Sequence, residues 1–462
     1  MYDFDVIVIG GGSAGFAAVD RAVDNEAKTA LVEAGALGGD CPNRACVPTK
    51  ILVRAAEILD TIEDAGRLGV RVDGVRLDWR RLVEYKNEIV DTLAGDRLEG
   101  ILENRGIELL RGRATFASDH QINLDGRTIS AGAIILATGS RPNVPAIPGL
   151  EQAGFISSRD ACDLNILPKS LLIIGGGPGG LEFAQVFSRF GVEVILVEAD
   201  DRLVPGEDEE ISNLAEVYAA GRRIDVRTST WVEVVGRNGG KKEARLRNRD
   251  GPHVVSVDEV MVAAGRRPNI EGLNLEAAGV AFSPQGVAVD ECLRTSADDI
   301  WACGDVTGRQ FYTHYAAYEG DLAGFNATSP DPEAIDASVV PHVIHARPEM
   351  AAVGMTEAEA RRRSRNVVVG RMPYRYLGKS VIESTPNGLV KLVAVGDRVV
   401  GGHIIGRRAG ELIHEVAVAM KNDMDIVALA DTIHAYPTFS EGIGAAAADV
   451  VTAGGFAFEE AA

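Results

Sequence analysis

Short runs of apolar residues, each ending in a glycine-containing turn, recur along most of the chain. Residues 6–9 and 171–174 are continuously apolar, as in strands buried on both faces, and each run leads directly into a glycine-rich turn. Residues 134–137 and 261–263 are further apolar runs, each followed by a turn with glycine and proline. Buried strands that alternate with helix-starting turns predict parallel sheets of the α/β class.

The same pattern of strand, turn and acid occurs twice. The first copy turns at residues 10–15 and reaches Glu33, and the second turns at residues 175–180 and reaches Glu198. Each glutamate follows the first glycine of its turn by twenty-three residues. A strand, a G-x-G-x-x-G turn, a helix and a second strand ending in an acid form the fingerprint of a dinucleotide-binding Rossmann unit. The sequence therefore predicts two such units.

The residues of these turns have separate physical roles. The first glycine allows a tight turn, the second lets the backbone approach a pyrophosphate, and the third permits close packing of the helix, whose N-terminus attracts phosphate. We expect Glu33 and Glu198 each to accept hydrogen bonds from a ribose. The alternative is that each is an acid at a solvated strand end.

The pattern of the sequence changes after residue 336. Residues 367–369 and 389–395 are strand-like, residues 411–420 are helix-like, and this part of the sequence has no phosphate loop. We therefore predict a C-terminal α+β domain suited to contact between subunits.

Length and charge narrow the class of protein. A chain of 462 residues is expected to form two or three domains. Its 47 basic and 67 acidic residues give a net charge of -20, which makes nucleic acid and anionic membranes poor partners. No apolar run reaches the length of a membrane span, and the chain enters its first strand without a basic leader, so we expect a cytoplasmic protein.

Two of the five cysteines lie close together in the segment GGDCPNRACVPTK, residues 38–50. Positions as far apart as Cys41 and Cys46 are about 8 Å apart in a regular helix, whereas a disulfide needs Cα atoms roughly 4.4–6.8 Å apart. Pro42 and Pro48 favour an irregular helix start, which would also lower the pKa of a thiol. The pair indicates redox-active thiols. The alternatives are two buried cysteines or half of a zinc site.

With these motifs in place, the chain resembles the class I pyridine nucleotide-disulfide oxidoreductases, which include dihydrolipoamide dehydrogenase, glutathione reductase and mercuric reductase. The resemblance covers the whole chain, since the motifs at residues 137–139, 295–305 and 437–441 also follow in the family's order. It implies an FAD-binding domain formed by residues 1–148 and 271–335. It also implies an NAD(P)-binding domain at 149–270 and a dimerisation domain at 336–462.

The resemblance also implies which residues bind the cofactors. Those for FAD are Gly10, Gly12, Ser13, Ala14, Gly15, Glu33, Ala34, Gly39, Asp40, Lys50, Ala137, Thr138, Gly139, Gly304 and Asp305. Those for NAD(P) are Gly175, Gly177, Gly180, Glu198 and Gly265. Acidic residues at 198, 200 and 201 would repel a 2′-phosphate, which favours NADH, and Arg202 is the one opposing feature. No metal site is expected.

By the same resemblance, electrons pass from NAD(P)H through FAD to a Cys41–Cys46 disulfide. Cys46 would be the thiolate beside the flavin and Cys41 the thiol that exchanges with the acceptor. Lys50 would reach the flavin N5 region and pair with Glu182. We expect a homodimer, because the family's acid-base residue comes from the partner subunit.

The chain departs from the family at that acid-base residue. The family pattern H-x-H-P-T-x-x-E is replaced by a segment from His434 to Glu441 in which Tyr436 occupies the base position. A phenol titrates near pH 10 and an imidazole near 6.5, so Tyr436 would be a poor proton acceptor at neutral pH. Glu441 would normally orient the missing imidazole. Turnover of dihydrolipoamide is therefore in doubt, and the acceptor is a disulfide or another compound.

Three alternatives remain open. Mercuric reductase also has tyrosine at this position, but its paired C-terminal cysteines are missing from the tail GGFAFEEAA. A quinone or diaphorase-type reductase would use the flavin directly, and a flavoprotein redox sensor would not be an enzyme.

We expect the acidic run at residues 207–210 to be a solvated helix start and Cys303 to be buried by packing. His314, His342 and His345 are expected to be structural.

Overall fold

The computed structural model describes residues 2–454, so the tail discussed above lies, apart from Gly454, outside the described residues. The elements of the first segment are β1 Phe4–Ile9, α1 Ser13–Asp24, β2 Thr29–Glu33, α2 Asp40–Arg44, α3 Cys46–Ala65, α4 Trp79–Leu93, α5 Gly95–Asn104, β3 Glu108–Arg111, β4 Ala114–Ser118, β5 Gln121–Leu124, β6 Arg127–Leu136 and β7 Ser140–Pro142.

A second group of elements follows the same plan. Its members are α6 Leu150–Ala153, β8 Ile156–Ser157, α7 Ser158–Ala161, β9 Ser170–Ile174, α8 Pro178–Arg189, β10 Glu193–Val197, α9 Glu209–Ala220, β11 Ile224–Arg227, β12 Trp231–Asn238, β13 Lys241–Asn248, β14 Gly251–Val257, β15 Glu259–Val262 and β16 Arg266–Pro268.

The remaining elements complete the first unit and build the C-terminal domain. Those of the first unit are β17 Phe282–Ser283, β18 Gly286–Val287, β19 Ile300–Ala302 and α10 Thr313–Asn326. Those of the C-terminal domain are β20 His342–Ile344, β21 Met350–Gly354, α11 Glu357–Arg363, β22 Val367–Pro373, α12 Gly378–Ile382, β23 Leu389–Val395, β24 Arg398–Ile405, α13 Ala409–Lys421, α14 Ile426–Asp431 and α15 Glu441–Gly454. Short 3-10 turns occur at Gly66–Leu68, Leu275–Ala278, Gly304–Thr307 and Tyr374–Tyr376.

Two parallel sheets of the same order form the first two units. Their orders are β3-β2-β1-β6-β19 and β11-β10-β9-β15-β8. In each sheet the strand before the glycine turn lies at the centre, so the turn meets the carboxyl edge where ligands of such sheets bind. Strand β19 comes from the segment after the second unit, and the first unit is therefore built from two separate parts of the chain.

The two units also meet through equivalent turns. The backbone N–H of Asn143 donates to Gly265 O, and that of Asn269 donates to Gly139 O, both at 2.9 Å. The side-chain amides repeat the exchange, since Asn143 donates to Ala264 O at 3.1 Å and Asn269 donates to Thr138 O at 2.9 Å. The internal duplication seen in the sequence thus also forms the junction between the units.

The C-terminal domain is an antiparallel sheet in the order β20-β21-β24-β23-β22, with helices α13 and α15 packed on it. The strands and helix expected at 367–369, 389–395 and 411–420 are present as β22, β23 and α13. Two Rossmann-like units and an α+β domain confirm the expected fold class. The domain limits given above stay predictions. Within residues 2–454, no helix combines the length and apolarity needed to cross a bilayer.

The acidic run at 207–210 is less exposed than the sequence predicted. It does lead into α9, but Asp208 is buried and its carboxylate accepts a hydrogen bond from Lys391 Nζ at 2.7 Å, while Glu207 contacts His342 Nε2 at 2.7 Å. The prediction of a solvated helix start was wrong, because the C-terminal domain packs a buried lysine and a histidine against these acids.

Candidate functional site

The glycine turn of the first unit is closed by backbone contacts that exclude a side chain. A Cβ on Gly10 would lie 2.3 Å from Ala137 O, and one on Gly15 would lie 1.8 Å from Gly10 O. Gly12 differs from these two, because its Cβ would come no nearer than 3.8 Å, from Gly39 Cα. The first and third glycines are thus required by packing, whereas the second leaves the backbone accessible.

The second unit repeats this geometry. A Cβ on Gly175 would lie 2.5 Å from Ala263 O, and one on Gly180 would lie 1.8 Å from Gly175 O. A Cβ on Gly177 would meet no described atom within 4 Å. Gly265, in the turn after β15, is exposed and has a φ of +86°.

Both predicted ribose acids brace their own turns. Glu33 accepts the N–H of Gly11 at 2.7 Å and that of Gly35 at 2.6 Å. Glu198 does the same in the second unit, with Gly176 at 2.6 Å and Asp200 at 2.9 Å. A carboxylate has about four acceptor positions, so each acid keeps capacity for a ribose hydroxyl. Both glutamates therefore stabilise the glycine turns, a role that the spacing alone did not predict.

The first unit fits the phosphates of FAD. Helix α1 begins after Gly12, and among the described residues no side chain caps its first N–H groups. Gly39 faces this helix start so closely that a Cβ there would lie 2.9 Å from Gly12 Cα. Glycine backbone around an uncapped helix N-terminus suits a pyrophosphate. Other predicted contributors lie alongside: Ser13 and Ala14 in the first turn of α1, Gly304 against Ala14, Thr138 and Gly139 after β6, and Ala34 after Glu33.

An ionic network joins Asp40 and Asp305 to the second unit. Asp40 Oδ2 lies 2.6 Å from Arg159 Nη2 and 2.7 Å from Arg266 Nη2. Arg266 Nε also donates to Ser140 Oγ at 2.7 Å, and that hydroxyl donates to Asp305. Burial raises the pKa of Asp305 despite these partners. Arg159 and Arg266 were missed by sequence reasoning, because their partners lie more than a hundred residues away in the chain.

The cysteines lie on either side of a helix break. Cys41 is in α2 and Cys46 begins α3, while Ala45 between them has φ −129° and ψ −93°. The irregular helix start required for the pair is thus present. Cys46 Sγ lies 3.6 Å from Thr313 Oγ1, at the start of α10. Thr313 was not among the predicted site residues, and its place at a helix start shortly after the Gly304–Asp305 motif is the signal that could have identified it.

The two thiols differ in acidity. A hydrogen bond from Cys41 lowers the pKa of Cys46 to about 6, with further help from the Thr313 hydroxyl and the Lys50 charge against the effect of burial. The same hydrogen bond, together with burial, raises the pKa of Cys41. In the dithiol state Cys46 therefore carries the charge and Cys41 the proton.

Lys50 and Glu182 form the ion pair expected between them. Lys50 Nζ lies 2.9 and 2.7 Å from the two carboxylate oxygens of Glu182, which is only 4% exposed. The backbone N–H of His345 donates to Glu182 Oε1 at 2.8 Å. Burial and the Lys50 charge lower the pKa of the His345 side chain. This arrangement connects the α3 helix, the second unit and the C-terminal domain one turn from Cys46.

The C-terminal segment makes no described hydrogen bond to the thiols of its own chain. Tyr436 is 77% exposed, its ring lies against Gly378, and no described hydrogen bond joins it to either cysteine. Glu441 Oε2 accepts the N–H of Thr438 at 2.8 Å. His434 Nε2 is held by Glu415 Oε1 at 2.7 Å and is largely buried, so it is unsuited to replace the missing imidazole.

Two of the three histidines stack on one tyrosine, and Cys303 is buried. Tyr312 stacks on His314 and His342, with ring centroids 5.6 and 5.2 Å apart. Cys303 is fully buried at the end of β19. Among residues 2–454, no group of three or more histidine, cysteine or acidic side chains could hold a metal ion.

Two family models match the chain. One, described as pyridine nucleotide-disulphide oxidoreductase, matches residues 4–320, and its dimerisation domain model matches residues 340–447. The chain is 34% identical over 448 residues to a mercuric reductase of Staphylococcus aureus, covering 96% of this chain and 82% of that protein. It is also 34% identical over 443 residues to a dihydrolipoyl dehydrogenase of Bacillus subtilis, covering 94% and 96%.

A solved structure resembles the whole chain. It is a Cu(II) complex of the HOCl-induced flavoprotein disulfide reductase RclA from Escherichia coli. The TM-score is 0.87 at 26% sequence identity, covering 97% of this chain and 99% of that one.

Proposed function

Because the chain belongs to the pyridine nucleotide-disulphide oxidoreductase family, we propose that it uses NAD(P)H and FAD to reduce a Cys41–Cys46 disulfide, which then reduces an external acceptor. The chain is an oxidoreductase of the flavoprotein disulfide reductase type. The observation that supports the proposal most directly is the place of the Cys46 sulfur at the start of α3, 3.6 Å from Thr313 Oγ1, where the hydrogen bond from Cys41 lowers its pKa.

Each residue of the site has a separate role in this reaction. FAD, when bound, supplies the two-electron chemistry between nicotinamide and sulfur. Cys46 holds negative charge beside Lys50 and Thr313, and Cys41 passes its proton along the hydrogen bond to Cys46 when it attacks the acceptor as a thiolate. Glu182 holds Lys50 in place from the second unit. The glycine turns with Glu33 and Glu198 would hold the pyrophosphates and riboses of the two nucleotides.

We propose NADH rather than NADPH as the donor. Glu198 follows β10 with its carboxylate bonded to the glycine turn, and the neighbouring acids would repel a 2′-phosphate. Arg202, the one opposing feature, donates to Pro205 O at 3.0 Å and lies 3.6 Å from Asp201. A kcat/KM higher for NADPH than for NADH would contradict this preference.

We propose that the acceptor is a disulfide, or another compound, whose reduction does not depend on a histidine base. Tyr436 is exposed in the single chain, as expected of a residue that enters the partner's site in a homodimer. The match to a dimerisation domain supports a homodimer. The other three cysteines, Cys162, Cys292 and Cys303, are free thiols, which is consistent with a reducing cytoplasm.

A second candidate reaction is reduction of a thiol-binding metal ion. The mercuric reductases among the relatives and the Cu(II) complex of the structural neighbour favour testing it. A dithiol with one preformed thiolate would bind a soft ion without a separate base.

Anaerobic titration with NADH tests the proposal. We expect long-wavelength charge-transfer absorbance after two electrons in the wild type and its loss in Cys46→Ser. Acceptors are then screened: lipoamide, glutathione disulfide, quinones and mercuric or cupric ion. Full turnover by Cys41→Ser with the best acceptor would instead support direct reduction by the flavin.

The replacement at position 436 is tested separately. Tyr436→His should increase lipoamide reduction by about tenfold or more at pH 7, because general acid-base catalysis contributes about 10²–10⁴-fold where it operates. Tyr436→Phe is the matched control without an imidazole. Wild-type activity with lipoamide as high as that of the family's dehydrogenases would show that the tyrosine does not limit the reaction.

A further inference from the structure

A cavity of about 930 Å³ lies where the ends of α3, α8 and α9 meet the C-terminal domain. Eight arginines and six carboxylates line it among the described residues. The chain as a whole has far more acidic than basic residues, so this lining reverses the charge balance of the molecule. We call it the arginine cavity, and its arginines include Arg189, Arg222, Arg223, Arg347, Arg407 and Arg408.

Three of the arginines share one buried carboxylate, although Arg189 also contacts Glu63 and Arg407 contacts Glu383. Asp60 is buried at the floor, 2.9 Å from Arg189, 3.0 Å from Arg222 and 3.2 Å from Arg347. Burial lowers the pKa of Arg347, and the charges of Arg222 and the nearby Arg407 act in the same direction against Asp60. Positive charges therefore crowd this floor.

Two further arginines at the cavity have no acidic partner within the described chain. No aspartate or glutamate oxygen among residues 2–454 lies within 4.0 Å of Arg223 or Arg408. Both are exposed, and both have left-handed backbones, with φ of +63° and +64°. That conformation costs an L-residue roughly 1–2 kcal/mol, and such strain concentrates at functional sites.

We propose that the arginine cavity binds a small polyanion that carries at least two phosphate groups. Guanidinium groups present a planar fork that matches phosphate oxygens, and they remain charged at all physiological pH values. Small-molecule sites typically have volumes of about 300–1,000 Å³, a range that includes this cavity. Its ligand is either free pyrophosphate or a nucleotide diphosphate, which share the recognised group.

The cavity is connected to the Lys50–Glu182 pair. Arg347 contacts Asp60 with its guanidinium, and its backbone N–H donates to Gln185 Oε1 at 2.5 Å. Two residues earlier, the N–H of His345 donates to Glu182, which lies one helical turn before Gln185 in α8. A small adjoining cavity is lined by Asp60, Arg347, His345 and Glu182 together. A polyanion that draws Arg347 from Asp60 would therefore alter the support of Glu182.

Calorimetric titration of the FAD-loaded protein with sodium pyrophosphate, at constant ionic strength, tests binding. We expect one site per chain, weakened about tenfold or more in Arg223→Gln and in Arg408→Gln, since each removes a charge-assisted contact. Arg80→Gln is the matched control, because Arg80 is an exposed arginine on α4 paired with Glu84. ADP in place of pyrophosphate distinguishes a nucleotide ligand from the free anion.

Three results would overturn the site. They are no binding heat, equal affinity in both variants and the wild type, or a change in particle mass in Arg223→Gln and Arg408→Gln, which would show that a second copy covers the arginines. Pyrophosphate held at a nucleotide turn would survive both substitutions and would also count against the site.

The link to Glu182 rests on the proposed function and has its own readout. Saturating pyrophosphate should change the NADH-dependent reduction rate of the wild type by about twofold or more, and this change should be lost in Arg408→Gln. Binding without any change in rate would refute the link and leave the site standing. Absence of NADH-dependent reduction would contradict the proposed function, while the calorimetry would still decide the site.

Discussion

Replacing Thr313 by valine should raise the pKa of Cys46. Valine keeps the branched shape and removes the hydroxyl that lies 3.6 Å from the sulfur. A hydrogen bond to a charged group contributes about 1.5–3 kcal/mol. The long distance and the exposed position of Thr313 place this one near or below the lower limit, and about 1.4 kcal/mol corresponds to one pKa unit. We therefore expect a change from about 6 to about 7.

The expected change in the thiolate fraction of Cys46 is largest near pH 6.5, where it can be measured easily. At pH 6.5 the thiolate fraction of Cys46 would fall from about three quarters to about one quarter. The alkylation rate of the reduced protein by iodoacetamide, followed by mass spectrometry of the peptide that contains Cys46, reports this fraction between pH 5 and 9. Thr313→Ser retains a hydroxyl and should keep the wild-type midpoint. A midpoint that is the same in the valine variant and the wild type would refute the assigned role of the hydroxyl.

Three other predictions concern the second unit and its contacts. Gly180→Ala should disrupt folding of that unit, because the added Cβ would lie 1.8 Å from a carbonyl oxygen. Gly177→Ala should fold normally, because its Cβ meets no described atom within 4 Å, but it should weaken NADH binding. Thermal unfolding and NADH titration of both variants check these expectations. Asp208→Asn should lower the free energy of unfolding by about 1.5–3 kcal/mol at pH 7, because Lys391 loses its most buried partner while it keeps its contacts with Glu210 and Glu357. Burial raises the folded pKa of Asp208, but the bond and charge of Lys391, the charge of His403 and the N–H of Glu357 together lower it further, so the net pKa is depressed. The resulting stabilisation is present above the unfolded pKa near 4 and is lost as pH falls through the folded value, so the variant should show a flatter acid limb in denaturant titrations. Glu182→Gln should slow reduction by NADH about tenfold, a barrier of about 1.4 kcal/mol, in stopped-flow traces; an unchanged rate would mean that the charge on this carboxylate is not needed.

The parts of the fold that were predicted are those with local signals. The two glycine turns and their acids have fixed spacing, because a strand, a tight turn and a helix must follow one another within a single Rossmann unit. The break between Cys41 and Cys46 could likewise be predicted, since a regular helix would hold them too far apart. The pairing of Lys50 with Glu182 came from the family resemblance alone.

The parts that were missed depend on contacts between distant segments. The burial of Asp208 needs Lys391 from another domain, and nothing near residue 208 indicates that partner. The contact of Thr313 with Cys46 spans 267 residues. A run of acidic residues is usually solvated, and only the packing of the C-terminal sheet on α9 makes this one an exception.

The carboxylates of Glu33 and Glu198, at and just after the ends of β2 and β10, preorganise both glycine turns. Each one accepts an N–H from the glycine turn of the neighbouring strand and an N–H from the loop after its own strand, so the backbone conformation that a diphosphate needs exists before the ligand arrives. Association then avoids much of the entropic penalty of ordering a mobile loop. A difference in residence time between the two nucleotides would then depend on the segments that close over each of them, because both turns are held by equivalent contacts.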